Sequence, residues 1–309
     1  MVQKLYTGDA MQANLSFVTK QTSHIEAGVY RARYPQIRYP GLIPIDTSAP
    51  EWIKSVTYYS MDTAGAAAWM ADRASDIPVV GSALASSETQ VHMAAIGYDY
   101  GIEEIAQAAA LGMNLAGEKA NTARLIYERF VDQVAFLGSK EKGFEGLLNA
   151  STVTVENAAT GNWDNATADQ IIADINIALS GVFKGTNEMA MADTLLLPSL
   201  KYQKLASTRL GDTETTALDF IKKANVFKAE TGQDLTIRGM RGLNDAGAGG
   251  TSRMVAYRNS PEVLKMHIPM VHKFLPVQIE GLTYKIPGIF RLGGLDIRLP
   301  REVRYVDGI

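Results

Sequence analysis

From Ile102 to Leu137 the chain places an apolar or small residue every three or four positions, and no proline breaks the run. The members are Ile102, Ile105, Ala109, Met113, Ala116, Ala120, Ala123, Tyr127, Phe130, Val134 and Leu137. Steps of three and four trace one face of an α-helix. At about 1.5 Å per residue the element would be roughly 55 Å long, well beyond the usual few turns. Alanine dominates its first half, with Gly112 and Gly117 close by, so another backbone can approach there. Bulkier residues follow and predict a deeper core. Gly138 suits the left-handed conformation that ends helices. Heptad-like spacing leaves a coiled coil open beside the other reading, a long helix lying across a mixed α/β domain.

The rest of the 309 residues must supply what such a helix packs against, with material for one large domain or a few small ones. The net charge of −3 and pI near 5.9 lack the basic excess of a protein built to grip nucleic acid. Cysteine is absent, so the fold uses neither disulfide nor thiolate metal site, which suits a reducing cytoplasm. The N-terminus "MVQKLYTGDAMQANLSFVTKQ" has no apolar signal-peptide region, and no run approaches the roughly 20 apolar residues of a membrane span.

Ahead of the helix the pattern is extended. "EWIKSVTYYSMDTAG" (51–65) and "TQVHMAAIGYDY" (89–100) are rich in β-branched and aromatic residues and predict strands. The small-residue stretch between them predicts the long tip of an extended hairpin. "RYPQIRYPGLIPID" (33–46) is proline-spaced, so residues 1–50 are expected to form an arm and not packed core. Beyond the helix the pattern is α/β. Thr167 with Gln170 forms a capping box for a helix over 168–183. "DTLLLPSLKYQKLAS" (193–207) predicts a buried strand, a break at Pro198 and a short helix, and 213–225 predicts another helix. "QDLTIRGM" and "SRMVAYRN" predict strands on either side of a glycine-rich loop, and the tail from Phe274 is mostly strand and turn.

Catalytic and binding motifs are mostly excluded. "DAGAGGT" (245–251) lacks the Gly-Lys-Ser/Thr and the following helix of a phosphate loop. His24, His92, His267 and His272 are scattered, and no nucleophile-elbow motif occurs. Glu103 and Glu104 suit a helix N-terminus better than acid–base work. Trp69 and Met70, on the expected hairpin tip, are large apolar residues of the kind that mark a contact surface.

Four stretches, in order, carry a resemblance: "IGYDYGIEEIAQA" (96–108), "FLGSKEKGFEGLLN" (136–149), "LLLPSLKYQKLAS" (195–207) and "IFRLGGLDIRLPREVRYVDGI" (289–309). They resemble the passage from hairpin into spine helix, the exit from that helix, a strand–Pro–helix unit and the C-terminal strands of one family. That family is the major capsid proteins of tailed double-stranded DNA bacteriophages, whose Hong Kong 97-type fold is shared in outline with encapsulins. The resemblance covers nearly the whole chain, and it rests on the order and spacing of motifs that are each weak alone.

It implies an α+β, Hong Kong 97-like capsid fold. The parts would be an N-terminal arm (1–49), an extended β-hairpin or E-loop (50–98), a peripheral domain with the spine helix (99–145), an α/β axial domain (146–260), and C-terminal strands returning to the peripheral domain (261–309). It implies a structural, non-enzymatic subunit of an icosahedral shell, assembling into hexamers and pentamers around double-stranded DNA. Synthesis and assembly would take place in the bacterial host cytoplasm, and the product is the virion capsid. The implied partners are further copies of the chain, a separate scaffolding protein, a portal protein and a decoration or cement protein. Packaged DNA would be touched weakly and non-specifically; no membrane, cofactor, metal or catalytic residue is expected. Contacts between subunits are expected from Leu15, Phe17, Val18 and Ile25 on the arm and Trp52 at the hairpin foot. Trp69, Met70, Ile77, Val79 and Val80 are expected to add contacts at the tip.

Two departures from the family bear on this. Met1 sits almost on the arm, so scaffold is expected as a separate protein. Some relatives cross-link a hairpin lysine to an asparagine on a neighbour, but no lysine lies between Lys54 and Lys119, and the Arg73 guanidinium is a poor nucleophile. No covalent cross-link through the hairpin is therefore expected. An encapsulin-like shell around cargo protein remains an alternative, although the long arm favours phage. An α/β enzyme with an unrecognised pocket is a further one.

Overall fold

The computed structural model describes residues 36–64, 81–110 and 115–309. The chain divides into two units, Met1–Gln36 and Ile37–Ile309, and everything below concerns the second. Its elements run α1 (Tyr39–Leu42), β1 (Ile45–Asp46), β2 (Ser55–Ala64), β3 (Gly81–Gln90), β4 (His92–Ala95), β5 (Tyr98–Gly101), α2 (Ile102–Ala110) and α3 (Leu115–Leu137). Then come β6 (Thr154–Asn157), α4 (Ala168–Gly185), β7 (Thr194–Pro198), α5 (Ser199–Ser207), α6 (Ala217–Lys223), α7 (Val226–Thr231), β8 (Thr236–Met240) and β9 (Arg253–Tyr257). The tail adds β10 (Leu264–His267), β11 (Met270–Phe274), β12 (Gln278–Glu280), β13 (Thr283–Ile286), β14 (Gly288–Leu292), β15 (Leu295–Ile297) and β16 (Val303–Asp307).

A five-stranded mixed sheet, β6-β16-β9-β7-β8, organises the second half. Both faces of β7 and β9 are covered, so these strands read as continuous apolar runs. Alternation sorts their side chains: Leu195, Leu197, Met254 and Ala256 join one buried cluster, Leu196, Val255 and Tyr257 the other. The first cluster lies under α4–α7. The expected capping box starts α4: Thr167 N donates to Gln170 Oε1 at 2.9 Å and Gln170 N to Thr167 Oγ1 at 3.4 Å. Trp163 is wholly buried beside it, its indole N–H donating to Asp174 at 2.9 Å. The strand–Pro–helix unit is present as β7 and α5.

The second cluster holds the α3 part of the long helical pattern, whereas Ile102 and Ile105 of α2, expected on the packed face, are exposed. Helices α2 and α3 both fall within the stripe; residues 111–114, including Met113, lie outside the described residues. In α3 the buried line is Ala123, Tyr127, Val131, Val134 and Ala135. Phe130 and Leu137, expected on that line, sit on its exposed flank with Ile126, because at 3.6 residues per turn the buried arc is centred nearer Val131. Tyr127 meets Phe290 edge-on at 4.8 Å and stacks on His272 at 5.3 Å, so this face packs on strands. That excludes a coiled-coil seam along α3 among the described residues.

Two local expectations need correcting. The hairpin's return strand is β3, beginning at Gly81; residues 92–101 instead form β4 and β5, which pair with β14 and β13. Gly-Ser-Ala-Leu-Ala-Ser-Ser has little strand propensity of its own and is extended because β2 pairs with it. Residues 37–46, expected within the arm, contribute to the core: Tyr39, Leu42 and Ile43 are buried. Asp132 of α3 accepts from the backbone N–H groups of Arg38 (2.8 Å) and Tyr39 (2.9 Å) at the start of α1. The Tyr257 hydroxyl donates to Leu42 O at 2.6 Å. Proline spacing hid a segment whose backbone polar groups find partners far along the chain.

Candidate assembly surfaces

Strands β2 and β3 pair in register from Ser55–Gln90 to Ala64–Gly81, a ribbon roughly 33 Å long. It has two strands only, and no third strand among the described residues joins either edge. Tyr59 (70% exposed) and Leu84 (68%) stand in solvent on it. A two-stranded ribbon is marginal in water without something packed on it.

The ribbon's foot is held. Val91 N donates to Lys54 O at 2.8 Å, and the Arg298 guanidinium lies 4.6 Å over the Tyr58 ring. Next to it, one face of the sheet β1-β10-β15 carries Asp46, Lys265, His267 and Asp296, with Arg298 just past the end of β15. Lys265 Nζ donates to Asp46 at 2.7 Å, and Arg298 Nε to Asp296 at 3.0 Å. The buried His267 ring sits between the carboxylates, Nδ1 3.6 Å from Asp46 and Nε2 3.5 Å from Asp296. Burial pushes both carboxyls up, but hydrogen bonds outweigh it: from Lys265 and Ser48 on Asp46, and from His267 and Arg298 on Asp296. Both are held below the usual carboxylate range. Neither this ladder nor its role at the foot was expected from sequence. The signal was there as alternation, Leu-Lys-Met-His in β10 and Leu-Asp-Ile-Arg across β15.

Trp52 is 65% exposed beside the foot, with Lys273 Nζ 5.7 Å and the Arg291 guanidinium 6.0 Å from its ring. Leu15, Phe17, Val18, Ile25, Trp69, Met70, Ile77, Val79 and Val80 lie outside the described residues. Further exposed apolar side chains lie near where α2 meets the β12–β13 turn: Ile102 and Ile105 on the helix, Ile279 on β12 and Leu282 on the turn, with Ile102 N donating to Leu282 O at 3.2 Å. Glu104 on α2 pairs with Lys119 at 2.6 Å, so its carboxylate is committed to the helix.

The exit from α3 closes every backbone group. The last four helical carbonyls accept in turn from Gly138 N (3.0 Å), Leu147 N (3.0 Å), Leu148 N (3.0 Å) and the Asn149 side-chain amide (2.9 Å). Gly138 takes φ +71°, and a Cβ on Gly146 would lie 2.2 Å from Phe136 O, so both glycines are required. Tyr305 ties this exit to β16, donating to Leu147 O at 2.7 Å and accepting from Ala150 N at 3.1 Å. The glycine-rich loop is likewise filled by the protein itself: Ala248 N donates to Asp307 Oδ2 at 2.9 Å, and Arg253 binds the same buried carboxylate through two nitrogens. No helix among the described residues is long and apolar enough to cross a membrane.

The family model for the major capsid protein matches residues 65–309. No curated protein matches the chain. Among solved structures, the capsid of Myoviridae phage XM1 is 19% identical with a TM-score of 0.80, over 94% of this chain and 98% of that one. A chain of Microbacterium phage Oxtober96 is 15% identical with a TM-score of 0.65, over 95% and 97%. The virus-like particle from Pyrococcus furiosus is more distant, 13% identical with a TM-score of 0.53 over 86% and 90%. At these identities the likeness shows the fold, the α+β Hong Kong 97-like arrangement of phage capsid subunits.

Proposed function

The chain belongs to the major capsid protein family and is a structural subunit of a homo-oligomeric virion shell; from that premise we propose that it builds an icosahedral phage capsid of hexamers and pentamers around double-stranded DNA. One observation carries the mechanical part of this reading. Among the described residues the β2–β3 ribbon has no third strand at either edge and leaves Tyr59 and Leu84 in solvent, which supports burial by another molecule. In a shell that molecule is the next copy. Trp52, Tyr59 and Leu84 supply contact along the ribbon, and Trp69, Met70, Ile77, Val79 and Val80 supply it at the tip. Leu15, Phe17, Val18 and Ile25 supply it from the N-terminal arm.

The subunit holds geometry and turns over no substrate. Three of the titratable groups displaced from their usual range serve as ties: Asp46 and Asp296 in the ladder, and Tyr305, its phenol pushed up chiefly by burial, at the helix exit. Assembly takes place in the host cytoplasm with a separate scaffolding protein and a portal, and cement protein joins the finished particle. Cohesion is non-covalent, since the hairpin brings no lysine beyond Lys54. The test replaces residues 56–89 with a short Gly-Ser link. The shortened chain should fold and stay unassembled under conditions where the full chain forms closed particles by negative-stain microscopy. Shells from the shortened chain would overturn the reading.

A further inference from the structure

A groove of about 580 Å³ runs beside α4 at the β6–β16 side of the five-stranded sheet. Gly181 and Gly185, one turn apart on α4, leave room for Arg304 from β16; a Cβ on Gly181 would lie 2.7 Å from its Nε. Arg304 donates to Gly181 O at 3.0 Å and to the Glu156 carboxylate. Its buried Nε has no hydrogen-bond partner. Lys184 stands exposed at the rim and makes no ion pair among the described residues. Two cations thus face one carboxylate, and hydrogen bonding to Arg304 already holds Glu156 below its usual range. The groove is left with positive charge, and the Ser180 hydroxyl stands beside it.

The opposite charge sits elsewhere on the same helical layer. The connection from α5 to α6 is a tight turn: Leu210 N donates to Thr215 O at 3.0 Å, and an antiparallel bridge joins Arg209 and Thr216. It projects Gly211–Glu214 into solvent, and neither Asp212 nor Glu214 makes an ion pair among the described residues. The turn follows α5, which rests Tyr202 against Gly239 of β8. Strands β8 and β6 are the two ends of the sheet. The acidic turn and the basic groove therefore belong to opposite sides. That arrangement suits a head-to-tail contact, which closes into rings, and not a two-fold one.

We propose that the Asp212–Glu214 turn of one copy docks in the Lys184–Arg304 groove of the next around each ring of subunits. This rests on the reading of hexamers and pentamers above. The partner is a second copy of this chain, recognised by carboxylates meeting a positive groove, with register fixed by the rigid turn.

The test uses the full chain with charges reversed at exposed positions: Lys184→Glu in one variant, Asp212→Lys with Glu214→Lys in a second, and all three in a third. Circular dichroism confirms folding, and sedimentation velocity with negative-stain microscopy reads assembly. Each of the first two variants should need a protein concentration about tenfold or more higher to assemble. Mixed one to one, they should recover six-membered rings by alternating, but not five-membered rings, because alternation cannot close an odd ring. The third variant should recover both. If the wild-type chain assembles and the reversed chains assemble equally well, or the third variant recovers nothing, this contact is overturned and the capsid reading stands. If the wild-type chain forms no rings or shells at all, the reading beneath it fails.

Discussion

The five-stranded sheet and the β2–β3 ribbon use the same backbone ladder, yet they differ in what covers them. In the sheet, every residue of β7 and β9 is buried between two apolar clusters. In the ribbon, ten residue pairs carry Tyr59 and Leu84 into water. Net hydrogen-bond contributions are similar per pair and small, so burial decides the contrast, at about 25 cal/mol per Å² of apolar surface. The sheet is stable on its own account. The ribbon, among the described residues, leaves its apolar side chains without cover. On the reading proposed above, one chain joins a self-sufficient body to an appendage whose stability belongs to the assembly.

The contrast can be broken most sharply at the body. Trp163→Ala empties a fully buried site and removes the indole donor from Asp174, leaving it the Thr160 N–H, and should cost the unassembled subunit about 3–5 kcal/mol in denaturant unfolding. A loss under about 1 kcal/mol would mean the body is not the self-sufficient part. Gly146→Ala drives a methyl into the Phe136 carbonyl and should cost about 1–3 kcal/mol in the same measurement.

A smaller effect belongs to the charged ladder at the ribbon's foot. The Asp46 and Asp296 carboxyls are held low in the folded chain, so the unfolded chain binds more protons in acid. Their stabilisation is complete above about pH 4, the unfolded carboxylate range, and drains away as pH falls below it. Asp46→Asn should cost about 1 kcal/mol at neutral pH and flatten the acid limb of a thermal-melt profile. An unchanged acid limb would count against the ladder.

The smallest effect on folding is expected in the ribbon itself. Tyr59→Ser with Leu84→Ser should change subunit stability by no more than about 0.5 kcal/mol. Assembly, followed by light scattering, should nonetheless weaken. If the subunit is destabilised instead, the ribbon is not an appendage.

What could be read from the sequence was what is local. The Thr167–Gln170 box, the break at Pro198 and the glycine after Leu137 each lie within a few residues, and each is where the pattern put it; the longer three-four stripe located α2 and α3 but put Ile102, Ile105, Phe130 and Leu137 on the packed face, where they are exposed. What escaped depends on distant partners. Strand β3 is extended because β2 lies beside it, not because Ser and Ala favour strands. Asp46 and Lys265 meet across 219 positions of sequence, and neither segment alone says they share a face. Of the expected contact residues only Trp52 lies among those described, and its exposure beside two cations is consistent with a surface role.

The locked exit of α3 carries a mechanical consequence. Its last four carbonyls are all engaged, and the residues engaging them are tied to β16 through Tyr305. A helix end without spare acceptors cannot unwind or slip by a turn without breaking several bonds together. Load applied along α3 therefore passes into the five-stranded sheet as through a welded joint. Under such a load this joint turns as one piece, and the yielding falls to segments with fewer ties, the ribbon first among them.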